Sequence, residues 1–241
     1  MEPMTPRKGT LYLIPVALGE RDAAAVIPAA TLEIVRRLRA FIVEDARSAR
    51  GFLKAVGYPW PLRETRFQIL NEHTRENEID ALLSPLLNGE DCGLMPEAGC
   101  PCIADPGAAL VRRAMEAGIR VAPLVGPSSV LLALMASGMN GQRFTFHGYL
   151  PVDKVQRNRA IAFLETQAEN ATQIFIEAPY RSAALFQALL EQCRPDTRVC
   201  VAADLTLQSE FLQTRSVAEW KRAAPRLERR RAVFLVYRGR S

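Results

Sequence analysis

Through its first half the chain alternates short apolar runs with helical patterns, and glycine or proline closes most of the runs. Residues 10–14 read as an opening strand ended by Pro15, residues 29–38 as a helix and residues 40–43 as a second strand. A helix over residues 46–56 stops at Gly57 and Pro59. Strands follow at residues 67–70, 92–95 and 119–124, with helices at 76–87, 108–117 and 129–137. Strand and helix in strict alternation predict a parallel-rich sheet with helices on both faces.

The most specific stretch is Glu97-Ala-Gly-Cys-Pro-Cys-Ile-Ala-Asp-Pro-Gly107, between the strand at 92–95 and the helix at 108–117. A stiff Gly/Pro turn between a strand and a helix is where open α/β sheets bind ligands. This one holds two carboxylates, Glu97 and Asp105, and glycines that let a ligand approach the backbone. After the next strand comes a second turn of the same kind, Val125-Gly-Pro-Ser-Ser129. Two such turns so close in the chain predict one small-molecule site and an enzyme. Ser128 and Ser129 are also placed to cap the helix that follows.

Beyond residues 137–142, rich in glycine and asparagine, the pattern restarts with more hairpin character. Strands are expected at 143–150, 173–176, 198–202 and 232–237, and helices at 154–165, 181–192 and 217–223. The organisation predicted is therefore two α/β domains, residues 9–138 and 142–239. A chain of 241 residues has room for two such cores.

No apolar run approaches the roughly 18 residues of a membrane span, and residues 1–8 read as a disordered start without a signal-peptide core. Five cysteines without framework spacing suit reduced thiols in the cytoplasm. Cys100-Pro-Cys102 reads as a pair of small turn residues, because a metal site would need further ligands and the chain has only two histidines. The formal charge of +5 is moderate. Lys154, Arg157 and Arg159 cluster after Pro151, and Arg226, Arg229, Arg230 and Arg231 near the end. Each cluster reads either as a solvated face or as phosphate contacts. The chain carries no G-x-G-x-x-G after its first strand, no P-loop and no G-x-S-x-G, which argues against dinucleotide, P-loop NTPase and α/β-hydrolase chemistry.

The order Glu44-Asp-Ala-Arg47, Glu97 to Gly107, Pro123-Leu-Val-Gly-Pro-Ser128, Ala136-Ser-Gly138, Phe144 to Pro151, Ile176-Glu-Ala-Pro-Tyr-Arg181 and Asp204-Leu-Thr206 resembles the tetrapyrrole methylase superfamily. Within it the chain is most similar to the branch that 2′-O-methylates a cytidine of small-subunit ribosomal RNA. The resemblance spans nearly the whole chain. It implies a two-domain α/β fold with a parallel-rich N-terminal sheet, a mixed C-terminal sheet and a cofactor cleft between them, in a protein that commonly forms homodimers. It also implies S-adenosylmethionine as methyl donor. By matched position the donor's contacts would be Glu97, Gly99, Pro101, Ile103, Ala104, Asp105, Pro127, Ser128, Ser129, Ala178, Leu205 and Thr206. Carboxylates and free backbone N–H groups suit the ammonium and carboxylate of its methionine part.

If the acceptor is a ribose hydroxyl, a base must take its proton. Asp45, Glu177 and Asp204 are the candidates by matched position. Each has a structural alternative: Asp45 as a helix cap or partner of Arg47, Glu177 as partner of Arg181. Lys154, Arg157, Arg159, Arg47 and Arg181 are the candidate substrate contacts, with ribosomal RNA as partner. The chain also departs from the family pattern. Pro96-Glu97 stands where Ser-Asp is usual, Cys100 for Thr, Cys102 for Leu, Ala104 for Ser, Tyr180 for His and Leu207 for Lys. Pro15-Val-Ala-Leu-Gly-Glu-Arg-Asp22 replaces Pro-Ile-Gly-Asn-Leu. It reads as a divergent paralogue. The alternatives are a tetrapyrrole or other small-molecule acceptor, or a cofactor-binding module without catalysis.

Overall fold

A computed structural model describes residues 7–19 and 23–239. The expected disordered start at residues 1–8 falls largely outside them, as do the last three residues of the divergent first turn, Glu20 to Asp22. The chain divides into two compact units, residues 1–128 and 129–241.

The first unit holds five parallel strands, β1 (Thr10–Leu13), β2 (Ala40–Val43), β3 (Arg66–Ile69), β4 (Cys92–Met95) and β5 (Arg120–Pro123), in the order β3-β2-β4-β1-β5. The inner strands β2 and β4 are buried at every residue, while the edge strands β3 and β5 are only partly covered. Side chains alternate between two cores, as the period of two demands. Ile42 and Leu94 join Leu11, Ile79, Leu86 and Leu110 on one face. Phe41, Val43 and Met95 join Ile14, Leu32, Val35 and Leu53 on the other. Helices α1 (Ala29–Arg37) and α2 (Ala46–Ala55) thus cover one face, and α3 (Glu76–Leu82), α4 (Ser84–Leu87) and α5 (Ala108–Glu116) the opposite one.

The single helix expected over residues 76–87 is two. The break falls at Leu83, immediately before Ser84-Pro85. Proline has no N–H and its ring clashes with the preceding turn, so it opens a new helix instead of continuing the old one.

The second unit contains α6 (Ser129–Ser137), β6 (Phe144–Tyr149), α7 (Lys154–Gln167), β7 (Thr172–Glu177), α8 (Ser182–Gln192), β8 (Arg198–Ala203), β9 (Phe211–Ser216), α9 (Val217–Trp220) and β10 (Ala232–Tyr237). Its sheet runs β6-β7-β10-β8-β9. The β6–β7 pair is parallel, joined by the α7 crossover, and the remaining pairs are antiparallel. The sheet is therefore mixed, as expected. β10, Ala-Val-Phe-Leu-Val-Tyr, is wholly buried at its centre. On the face covered by α7, α8 and α9, Phe175 stacks on Phe234, and Phe186 meets Trp220 edge-on at 5.5 Å. The Trp220 indole N–H donates to the Val199 carbonyl at 2.8 Å, so its one polar atom is satisfied inside the core.

The division falls before α6 and not after it. α6 packs against β9 and β10, and Thr214 Oγ1 donates to the Ser137 carbonyl at 2.7 Å. Its sequence, Ser-Val-Leu-Leu-Ala-Leu-Met-Ala-Ser, is apolar all round. Its pattern therefore carries no stripe to say which sheet it covers.

Candidate functional site

In the first sheet β4 and β1 are neighbours whose connections leave in opposite directions. β1 leads across to β2, and β4 leads past β1 to β5. The crevice at their carboxyl ends is a topological switch point, the place where open α/β sheets take ligands. Both candidate turns reach it. Val16, just past β1, exchanges two backbone hydrogen bonds with Gly99, at 2.9 and 3.2 Å. Gly126 of the second turn lies so close to Pro15 that a Cβ there would meet the ring at 2.4 Å.

The central turn is folded against its backbone preferences. Gly99, Cys102, Ala104 and Gly107 all have positive φ, two of them without the freedom of glycine. At Gly107 the need is also spatial, since a Cβ would come within 2.8 Å of Cys102 Sγ. The Cys100 thiol donates to the Pro127 carbonyl at 3.4 Å, tying the central turn to the second one. Burial raises the pKa of both thiols, that of Cys102 to about 11, with the Asp105 charge adding to it. Cys100 and Cys102 are small, half-buried side chains within the turn, and small turn residues are what the sequence suggested. Pro101 is buried, and Ile103 and Ala104 are exposed at the tip.

Three carboxylates meet here: Glu97, Asp105 and Glu44, the last at the end of β2. Glu44 Oε2 accepts from the Glu97 N–H at 3.1 Å. Burial first, and then the charges of Glu44 and Glu97, push Asp105 up to about 7. Glu44 is raised too, again chiefly by burial. Among the described residues no cation is ion-paired with any of the three. Glu44 lies beside the central turn, whereas the sequence reading names its neighbour Asp45. The signal available was its position, at the carboxyl end of an inner strand.

Asp45 itself caps α2. Its Oδ1 accepts from the Ser48 N–H at 2.7 Å and from the Ser48 hydroxyl at 2.6 Å, and these bonds lower its pKa. Arg47 is exposed on the first turn of the same helix.

In the second unit the remaining candidates gather at one end of the sheet. Glu177 and Ala203 flank Ala232 in register, which brings together the ends of β7 and β8. Glu177 is buried, and its Oε1 takes three donors: Arg181 Nε at 2.9 Å, Arg181 Nη2 at 2.6 Å and the Ala178 N–H at 2.7 Å. Asp204 Oδ2 accepts from Arg230 Nε at 2.7 Å and from the Ser209 hydroxyl at 3.1 Å. Arg230, one of the C-terminal basic cluster that reads from sequence either as a solvated face or as phosphate contacts, also reaches the Ser209 carbonyl. Asp204 and Thr206 both have positive φ, Leu205 is buried between them, and the Thr206 N–H donates to Glu210 at 2.7 Å. The turn is thus fixed by a carboxylate contact on each side of the buried Leu205. Each proposed base therefore has a structural occupation in this conformation.

Of the basic cluster, Lys154 and Arg159 are exposed on α7. Arg157 bends back to donate to the Val152 carbonyl at 2.9 Å.

Comparison with known proteins agrees with this geometry. The family described as Tetrapyrrole (Corrin/Porphyrin) Methylases matches residues 10–220. The chain is 32% identical over 212 residues to the ribosomal RNA small subunit methyltransferase I of Escherichia coli, covering 88% of this chain and 71% of that one. It is 31% identical over 231 residues to the protein of the same name from Pseudomonas aeruginosa, covering 95% and 78%. Among solved structures, that of the methyltransferase CobJ superposes with a TM-score of 0.62 at 15% identity, covering 96% of this chain and 94% of CobJ, a likeness of fold.

Proposed function

The chain belongs to the tetrapyrrole methylase family, and from that membership we propose that it is an S-adenosylmethionine-dependent methyltransferase whose acceptor is a ribose 2′-hydroxyl of ribosomal RNA. The observation that carries the donor half is the acidic crevice at the switch point. Glu44, Glu97 and Asp105 lie together there with no cation paired to them among the described residues, and the raised pKa of Asp105 and Glu44 marks a crevice that a positive charge would stabilise.

S-adenosylmethionine would supply a methyl group on a sulfonium, next to an ammonium, and both positive charges suit this trio. Glu97 and Asp105 would hold the cationic end. Gly99, Pro101, Ile103 and Ala104 would shape the turn around it, and Pro127, Ser128 and Ser129 would offer the second wall. Ala178, Leu205 and Thr206 are proposed as donor contacts from their matched position in the family pattern. Methyl transfer needs alignment and exclusion of water more than it needs strong acid–base chemistry. Removal of the hydroxyl proton still needs an acceptor. Glu177 and Asp204 could serve only by loosening from Arg181 and Arg230, and Asp45 only by giving up its cap.

The RNA half rests on the relatives, which are named for ribosomal RNA, and on the exposed cations Lys154, Arg159 and Arg47. Arg157 and Arg181 would join them by leaving their present partners. A homodimer in the cytoplasm completes the proposal; among the described residues no helix is long and apolar enough to cross a membrane.

The test has two stages. Calorimetry with S-adenosylmethionine and with its demethylated product should show uptake of both. Incubation with labelled donor and small-subunit RNA lacking the modification should then label a ribose. Failure of both ligands to bind ends the donor reading. Donor binding with transfer to a tetrapyrrole but to no RNA ends the acceptor reading.

A further inference from the structure

The outer face of α7 is built unlike that of a helix meant only for solvent. Its exposed positions Val155, Arg159, Ala162, Phe163 and Thr166 follow i, i+4, i+7, i+8, i+11 and form one stripe. Phe163 is 62% exposed and Val155 58%, and Val152 and Tyr149 on the segment leading in are 67% and 54% exposed. Val155 and Phe163 are separated by about 12 Å along the axis.

The charges point the same way. Lys154, Arg157 and Arg159 all lie in the first two turns, with no acidic residue in the first turn. Cations at a helix N-terminus oppose the macrodipole, so helix stability does not account for them. The cap, Asp153, is occupied by the Gln156 N–H at 2.9 Å. The helix's only carboxylate, Glu165, is turned inward, where it accepts from the Arg194 N–H at 2.6 Å and from the Thr197 hydroxyl. Nothing acidic on α7 therefore offsets Lys154 and Arg159 on the outside. Cations interleaved with an aromatic ring and aliphatic faces are what an unpaired nucleic-acid strand requires: charge along the backbone and flat apolar surface for bases.

We propose that the outer stripe of α7 is a docking surface for single-stranded RNA, with Arg159 on a phosphate between Val155 and Phe163, which lie against base faces. This rests on the RNA reading above and adds that the bound strand is unpaired where it crosses the helix.

The experiment is a fluorescence-anisotropy titration of the full chain with labelled poly-uridine at several salt concentrations, repeated with Phe163→Ala and Arg159→Gln. Both side chains are exposed, so neither change opens a core. Phe163→Ala should weaken binding about 5- to 150-fold, the loss of one base stack, and leave the salt slope unchanged. Arg159→Gln should lower the slope of log affinity against log salt by about 0.7, the loss of one phosphate contact on a single strand. Unchanged RNA affinity in Phe163→Ala overturns the proposal. So does a fall in sedimentation mass in that variant at constant RNA affinity, which would make the stripe a contact between copies of the chain. Calorimetry with S-adenosylmethionine should be unaltered in both variants. Ribose labelling by the wild type alongside an unaltered Phe163→Ala would remove this surface while leaving the RNA acceptor in place.

Discussion

Replacement of Asp105 by asparagine should make the protein more stable at mildly alkaline pH and no more stable in acid. In the folded chain the Asp105 pKa stands at about 7, against 3.8 for a free aspartate, because burial and the charges of Glu44 and Glu97 penalise its ionised form. Between those two values the unfolded chain has released a proton that the folded chain still holds. Stability therefore falls as pH rises through that window and levels off above about 7. The full shift of roughly three units would correspond to about 4 kcal/mol. Asp105 is partly exposed, and solvent screening reduces that to about 1–2 kcal/mol. The asparagine amide does not titrate, so Asp105→Asn should gain that amount near pH 8 and nothing near pH 4, a Tm difference of about 2–8 °C for a chain of this size. Scanning calorimetry of both proteins across this range reads that difference together with the smaller relief of Glu44, Cys100 and Cys102, whose ionisation the Asp105 charge opposes and which therefore adds with the same sign. An asparagine variant that is less stable near pH 8, or a Tm gap that does not change with pH, refutes the reasoning. Above about pH 7, where Asp105 is charged, the same substitution should weaken S-adenosylmethionine binding by removing one negative charge from the crevice, the usual conflict between stability and function at a site.

Glu177→Gln leaves the Arg181 guanidinium facing a neutral amide in a mostly buried place, and should cost about 2–4 kcal/mol, read as a lower midpoint in urea. Lost turnover with an unchanged midpoint and intact donor binding would instead assign Glu177 the base role. Gly107→Ala forces a side chain onto a φ of 138° and into Cys102 Sγ, and should cost about 1–3 kcal/mol and weaken donor binding; a variant with unchanged Tm and affinity would show that the turn yields freely.

The central turn was legible because glycine and proline mark it and because apolar periodicity changes from two to 3.6 on either side. Strand order and register follow from pairings distant in the chain, which no local pattern carries. The split at Leu83 was hidden by Ile79, Leu82, Leu83 and Leu86, all buried and in helical step, although Pro85 stood in the sequence. Arg230 reads as a solvated charge or a phosphate contact because its partner Asp204 meets it only when β8 and β10 pair. Glu44 was eclipsed by its neighbour Asp45, and its raised pKa comes from burial and from carboxylates that only folding brings near. α6 illustrates a different limit: with apolar residues on every side, its sequence was compatible with either unit.

The paired hydrogen bonds between Val16 and Gly99 add one antiparallel rung beyond the end of a parallel sheet. Two connections that would otherwise be separate flaps are stapled across the mouth of the crevice. A guest arriving there meets a finished floor and need not organise one, so little of its affinity is lost to ordering chain. Such a floor can also stay constant while the stretches on either side of the rung diverge, which is how a family could keep one methyl donor and exchange one acceptor for another.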